Sequence, residues 1–299
     1  MNLDALIMPT QLKDASEQND VWVPLFIKGI LANTNEEIDA NIEAALKRDY
    51  IPFNKIMGMK SGAVAIVGSG PSLKSNWRKL LNFNGDILAC NSAFGFLLDK
   101  GIVPKYMMCF DADKLMLAFM RVHKDVTYLL ASRCPPDAFE MVKDCKIVCW
   151  HAGGDEHLED LLVKHDKEEP MVLGGSAAVT RSLYVAITMG YREVHMYGVD
   201  SSFEGMNTHI SQSRTEERHL PVRVNDKLFI TSPWLAQQAE DFKILVPLMQ
   251  KINRAKVIVH GTGLIPYIAK IMGLKTDETF LGKFVRVWGW NAKILWQHV

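Results

Sequence analysis

From Ser61 onward the chain alternates between short apolar runs and stretches with helical spacing. The runs AVAIVG (63–68), DILACN (86–91), YMMCFD (106–111), TYLLAS (127–132), KIVCW (146–150), EVHMYGVD (193–200) and KVIVH (256–260) read as buried strands. Between them SLKSNWRKLLN and SAAVTRSLYVAITMG show helical periodicity, and in the second Ala178, Leu183, Ala186 and Ile187 supply a packing stripe. Continuous apolar strands separated by helices predict a mostly parallel sheet covered on both faces, a doubly wound, Rossmann-like α/β fold. One β-hairpin interrupts the alternation, where VRV and KLFIT flank the turn residues Asn225-Asp226.

Before Ser61 the pattern changes. NTNEEIDANIEAALKRD (33–49) sets Ile38, Ile42, Ala45 and Leu46 at helical spacing behind the cap candidates Asn33 and Thr34. Residues 1–58 are therefore read as a helical N-terminal extension that packs or contacts a partner and carries no chemistry. Residues 59–273 form the Rossmann-like domain, and 274–299 a C-terminal appendage. Its aromatic and basic run LGKFVRVWGWNAKILWQHV is read either as a helix packed on the domain or as a homo-oligomer contact.

Composition narrows the function classes. Of 299 residues, 34 are Lys or Arg and 34 Asp or Glu, so the formal charge is zero and charge-driven nucleic-acid binding is not expected. Apolar residues at 48% and charged residues at 23% fit an ordinary soluble globular chain. No uncharged apolar run reaches the roughly 18 residues of a membrane span. The segment MNLDALIMPTQLKDASEQND lacks a basic n-region, so no signal peptide and a cytoplasmic location are expected. The five cysteines contain no CxxC pair and mostly sit in apolar runs, which predicts reduced, buried thiols rather than disulfides or a zinc site.

In a doubly wound sheet, ligands bind beyond the carboxyl ends of the strands. The first such end is Gly68-Ser69-Gly70-Pro71-Ser72-Leu73. The glycines allow a tight turn and close approach, and the following helix start offers free N–H groups to an anion. Leu73 replaces the third glycine of GxGxxG and no GK[ST] follows, so the alternative reading is a plain strand-to-helix turn. The second strand ends at Asn91, where a dinucleotide fold usually places an acid. Asn91 can still bond a ribose or base, and a nicotinamide dehydrogenase is disfavoured. Asp111 and Asp113 end the third strand and can hold Mg²⁺ with a diphosphate. Alternatively Asp113 caps KLMLAFMRVHK and Asp111 satisfies loop amides. Gly174-Gly175-Ser176 forms a second anion cradle, or only a turn. After Asp200 the polar segment SSFEGMNTHISQSR carries His209, a general base, a phosphate donor or a solvated histidine. His195 is read as a core or sheet-face residue, and His151, His157 and His165 receive no role.

Taken in order, Gly68 to Leu73, Asn91-Ser92-Ala93, Gly101-Ile102-Val103-Pro104-Lys105-Tyr106 leading to Asp111, Gly174 to Ser176, and Gly190-Tyr191-Arg192-Glu193-Val194 leading to Gly198-Val199-Asp200 resemble the 6-hydroxymethylpterin diphosphokinase MptE-like family over 61–265. That family includes the central domain of bacterial motility accessory factors associated with flagellin glycosylation. The same landmarks are similar to bacterial sialyltransferases that use CMP-sialic acid. Where archaeal diphosphokinases have an acidic stretch, this chain has Gly175 to Arg181, which resembles the accessory-factor and sialyltransferase branch. Asp111-Ala112-Asp113 looks more like the metal-dependent arm, and the acceptor-side tyrosines of the sialyltransferases have no match. The resemblance implies a nucleotide-dependent transferase with a nucleotide at Gly68 to Leu73 and Asn91 and phosphates near Gly174 to Ser176. One form is transfer of a nonulosonic acid from a CMP-sugar to a small-molecule, glycan or protein acceptor, with His209 as base. The other is Mg²⁺-dependent diphosphate transfer from ATP to 6-hydroxymethylpterin, with Asp111, Asp113 and Asp200 around the metal. A non-catalytic nucleotide-binding scaffold is the third reading.

Overall fold

A computed structural model describes residues 33–205, 219–277 and 292–293. Helix α1 (Asn35–Leu46) starts at a capping box: Thr34 accepts from the Glu37 amide at 3.3 Å, and the Glu37 carboxylate accepts from the Thr34 amide at 3.0 Å. The four residues at helical spacing, Ile38, Ile42, Ala45 and Leu46, are its buried face. Three of them join Leu158, Leu161 and Leu162 in a small satellite core.

The chain continues through β1 (Ile51–Pro52), β2 (Ala63–Val67), α2 (Leu73–Asn76), β3 (Asp86–Cys90), α3 (Ser92–Asp99), β4 (Tyr106–Cys109), β5 (Thr127–Ala131), α4 (Pro136–Met141), β6 (Lys146–Ala152), α5 (Leu158–Lys164), β7 (Met171–Val172), α6 (Ala178–Met189) and β8 (Glu193–Tyr197). The hairpin β9 (Leu220–Val224) and β10 (Lys227–Thr231) turns at Asn225-Asp226, as expected. It leads into the long helix α7 (Pro233–Asn253), then β11 (Lys256–Val259), α8 (Leu264–Ile271) and β12 (Lys275–Thr276). Ala292–Lys293 form β13 against β9, a strand where the sequence suggested a helix or an oligomer contact.

All seven expected strands form, and the central sheet they build is parallel throughout. Its order is β1-β6-β5-β4-β3-β2-β8-β11-β12, with β7 also on β6. From β2 the sequence order climbs toward β6 on one side, whereas β8 and β11 lie on the other. The reversal between β2 and β8 is the topological switch point. The strands of the centre are buried on both faces: Val64, Ala65, Ile66 and Val67 expose nothing. Helix α6 is buried almost all round, including Arg181, whose guanidinium donates to the carbonyls of Val172 at 2.8 Å and Gly153 at 3.1 Å. All five cysteines are free thiols, four of them buried, as the sequence suggested. Among the described residues no helix is long and apolar enough to cross a membrane. KLMLAFMRVHK, expected as a helix, makes only a 3₁₀ turn over Lys114–Phe119.

Candidate functional site

The two turns that leave β2 and β8 are zipped together. The ladder between the strands runs on past their ends, with the Gly68 amide donating to Tyr197 O at 2.8 Å and the Gly70 amide to Gly198 O at 2.7 Å. This places both turns on one rim, over a cavity of about 150 Å³. Gly68, Ser69, Gly70, Asn91 and Asp200 line it, as the sequence proposed. So do Cys90, Ala177, Ala178, Val179, Gly198, Val199, Ser201, Leu235 and Gln238.

Both anion cradles read from the sequence are closed by carboxylates of the chain itself. Asp200, 3% exposed, accepts from the Ser72 amide at 2.7 Å and from its hydroxyl at 2.5 Å. Asp241 of α7 accepts from the Ser176 amide and hydroxyl, each at 2.6 Å, and Gln237 holds its other oxygen at 3.0 Å. The positive helix start expected to take a substrate phosphate thus meets an internal anion. Pro71, Ser72, Leu73, Gly174, Gly175 and Ser176 support the rim and do not line the cavity.

Burial pushes the Asp200 carboxyl up from its ordinary 3.8 to about 6, against the pull of Ser72's hydroxyl and amide. The folded chain keeps this proton up to about pH 6, whereas the unfolded chain releases it near 3.8. In that window the folded state binds more protons, so this group's contribution to stability falls as pH rises and levels off above it. Urea unfolding should show the stability of the wild type relative to Asp200→Asn falling by about 2–3 kcal/mol between about pH 4 and 7. A pH-independent difference would show that the carboxylate is not held out of water.

Facing the cavity are the open end of α6 and, beside Gln238, which is engaged by Ser201, the amide side chain of Asn91. Ala177 donates to its own Thr180 hydroxyl at 3.2 Å, and Ala178 and Val179 follow on the cavity wall. The first-turn amides of a helix have no partner inside it, and the dipole there is positive. Asn91 ends β3 with φ 48°, a left-handed backbone uncommon outside glycine. Its Nδ2 donates to Asp111 Oδ2 at 3.1 Å, which fixes the amide's orientation, and its Oδ1 is buried with no partner. A buried acceptor without a donor is costly, and a ligand N–H or O–H would satisfy it.

Each carboxylate that the sequence suggested for magnesium has a partner within the chain. Asp113 Oδ1 caps the following turn through Leu115 N at 2.8 Å, Asp111 holds Asn91, and Asp200 is sealed against Ser72. Among the described residues no three metal-binding side chains cluster. His209 lies outside the described residues. His195 sits on the sheet face, its Nδ1 at 2.9 Å from Nε2 of His260 and away from the cavity, and buried His151 faces Glu169 at 3.1 Å.

Sequence reasoning missed Asp241, Gln238 and Leu235, all on α7. Gln238 is buried and accepts from the Ser201 hydroxyl at 2.8 Å. Its signal was a polar residue one turn after Leu235, inside the apolar stripe that Ala236, Ala239 and Phe242 mark.

The family model described as 6-hydroxymethylpterin diphosphokinase MptE-like matches residues 36–205. No curated protein matches the chain. Among solved structures, the chain is similar to a MAf glycosyltransferase from Magnetospirillum magneticum AMB-1, with 18% identity and a TM-score of 0.57 over 79% of this chain. It spans 38% of that glycosyltransferase's length, and the likeness is one of fold. Weaker similarities are to a mammalian sialyltransferase (13% identity, TM-score 0.40, 77% of this chain and 80% of that one). The sialyltransferase CstII from Campylobacter jejuni in complex with cytidine-5'-monophosphate gives 15% identity and a TM-score of 0.30 over 84% of this chain and 96% of that one.

Proposed function

The chain belongs to the 6-hydroxymethylpterin diphosphokinase MptE-like family, and from that premise we propose that it transfers a sugar, of the nonulosonic acid class, from a CMP-linked donor. The observation that carries this reading is the switch-point cavity. There the orphaned Asn91 Oδ1 and the first turn of α6 meet, and among the described residues no lysine or arginine joins the lining. A nucleoside monophosphate leaving group needs a pocket for its hydroxyls or amine and a set of dipoles for its phosphate, and these are the two features at hand. A protein that shares this fold over 38% of its length is a MAf glycosyltransferase, which supports the reading.

The step is a displacement at the anomeric carbon. The bond from that carbon to the CMP phosphate oxygen breaks, and its electron pair leaves on the phosphate at the Ala178 and Val179 amides. An acceptor hydroxyl oxygen forms the new bond and gives its proton to His209, as the sequence proposed. At 150 Å³ the cavity holds only part of a donor, since whole-ligand pockets run to roughly 300 Å³ and above. The sugar and the acceptor lie outside it, toward solvent. No step is routed through magnesium.

A thermal-unfolding panel with CMP, CTP, ATP and AMP, each with and without Mg²⁺, tests the reading, because a ligand that binds the folded state raises apparent stability. The expected result is a shift with CMP that needs no metal. In Asn91→Ala the CMP affinity should fall about tenfold or more, the loss of one well-buried hydrogen bond. An ATP shift that requires Mg²⁺ would replace glycosyl transfer by diphosphate transfer. Silence throughout would favour a scaffold.

A further inference from the structure

A larger cavity, of about 420 Å³, lies at the opposite end of the sheet. Its walls are the amino ends of β4, β5 and β6 and the connection that carries the chain from the edge strand β1 to the central strand β2. Parallel register sets Tyr106 beside Thr127 and Thr127 beside Lys146, so one pleated face forms the back. Four lysines line this cavity: Lys60, Lys105, Lys124 and Lys146. One carboxylate, Asp125, accompanies them.

These charges are only partly offset, by Asp86 at Lys60 and by Asp125 in the lining. Lys60 lies 3.6 Å from Asp86 and 5.7 Å above the Tyr106 ring. Lys105, Lys124 and Lys146 are exposed and make no ion pair with a described residue. The whole chain carries no net charge, so this is a local concentration of positive potential in a concave wall, the arrangement that focuses a field on an anion. Ile56, Val126 and Val148 give the same cavity an apolar floor.

We infer that this cavity is a second binding site, for a small molecule bearing two or more phosphates on an apolar or ring-containing body. Lysine ammonium groups bind phosphate as point charges, without the planar geometry that a guanidinium imposes. The site does not overlap the switch-point cavity, because a five-residue strand separates the two ends of the sheet by about 16 Å. It stands whether or not the transferase reading does.

The probe is inorganic tripolyphosphate, titrated into the full chain while thermal unfolding is followed. The wild type should show a saturable rise in midpoint that weakens with added salt. The triple variant K105Q/K124Q/K146Q should bind the probe at least tenfold more weakly yet keep its response to CMP. Asn91→Ala should behave the opposite way, so the two sites fail separately. Should the triple variant not fold, Lys146→Gln alone should weaken the probe several-fold. An equal response in the variants, or none in the wild type up to millimolar probe, overturns the site. Binding to anionic phospholipid vesicles without a response to soluble tripolyphosphate also overturns it, and assigns the lysines to a membrane surface.

Discussion

Gly70→Val is expected to lower stability by about 3–5 kcal/mol, a large share of the roughly 5–15 kcal/mol that holds a typical domain folded. A Cβ at this position would stand 2.6 Å from Asp200 Oδ2 and 2.7 Å from Gly198 O. Neither neighbour can retreat cheaply. Gly198 O accepts the Gly70 amide, and the Asp200 carboxylate holds both donors of Ser72 inside the protein. Overpacking alone costs about 1–3 kcal/mol, and displacing the carboxylate adds the loss of buried hydrogen bonds. Read as a sequence, Gly70 is a ligand-approach residue whose replacement would weaken binding on an intact fold. The structure shows that Gly70, while lining the cavity, is also a contact between two turns. The urea midpoint decides between them, and a wild-type midpoint in Gly70→Val would refute the interlock.

His209→Gln is expected to lower turnover by on the order of 10² or more while CMP affinity stays within about twofold. The expectation follows from chain direction. The segment that carries His209 leaves the carboxyl end of β8, and Ser201, at its start, already lines the cavity. Ser201 is fixed there by Gln238 and by the Thr231 hydroxyl, which donates to its carbonyl at 2.8 Å. Glutamine keeps the polarity and size of the side chain but cannot take a proton near neutrality. Turnover and CMP binding measured on the same preparation separate a base from a binding residue. Unchanged turnover would remove His209 from the mechanism. The search would then move to Asp111 beside Asn91, since Asp113 is spent on a cap and Asp200 on Ser72.

The parts of the fold legible in the sequence are those with a long local signal. The four apolar residues of α1 and the seven buried runs follow from periodicity, because burial on one stripe or on both faces of a sheet leaves a regular mark. β1, β7 and β12 are two residues each, too short to carry a period. The cavity was legible in outline, at Gly68 to Gly70, Asn91 and Asp200, because strand ends can be located without knowing their neighbours. Asp241 and Gln238 were not, since only the packing of α7 onto α6 brings them to the rim. The same limit explains the two serine cradles. That Ser72 and Ser176 would each meet a carboxylate 128 and 65 residues away is a property of tertiary contact and of no local motif.

The switch point also has a consequence for the growing chain. On one side of β2 the strands β3 to β6 follow in sequence order, so they can add one after another as they are made. On the other side the partner is β8, with residue 63 opposite residue 193. Until β8 emerges, β2 is a sheet edge with a row of unpaired amides and carbonyls, apolar on both faces and without a charged or proline residue to blunt it. Such an edge invites pairing with another chain. The strand at the heart of the finished protein therefore stays an open edge until late in synthesis, and any break that removes β8 leaves it permanently bare.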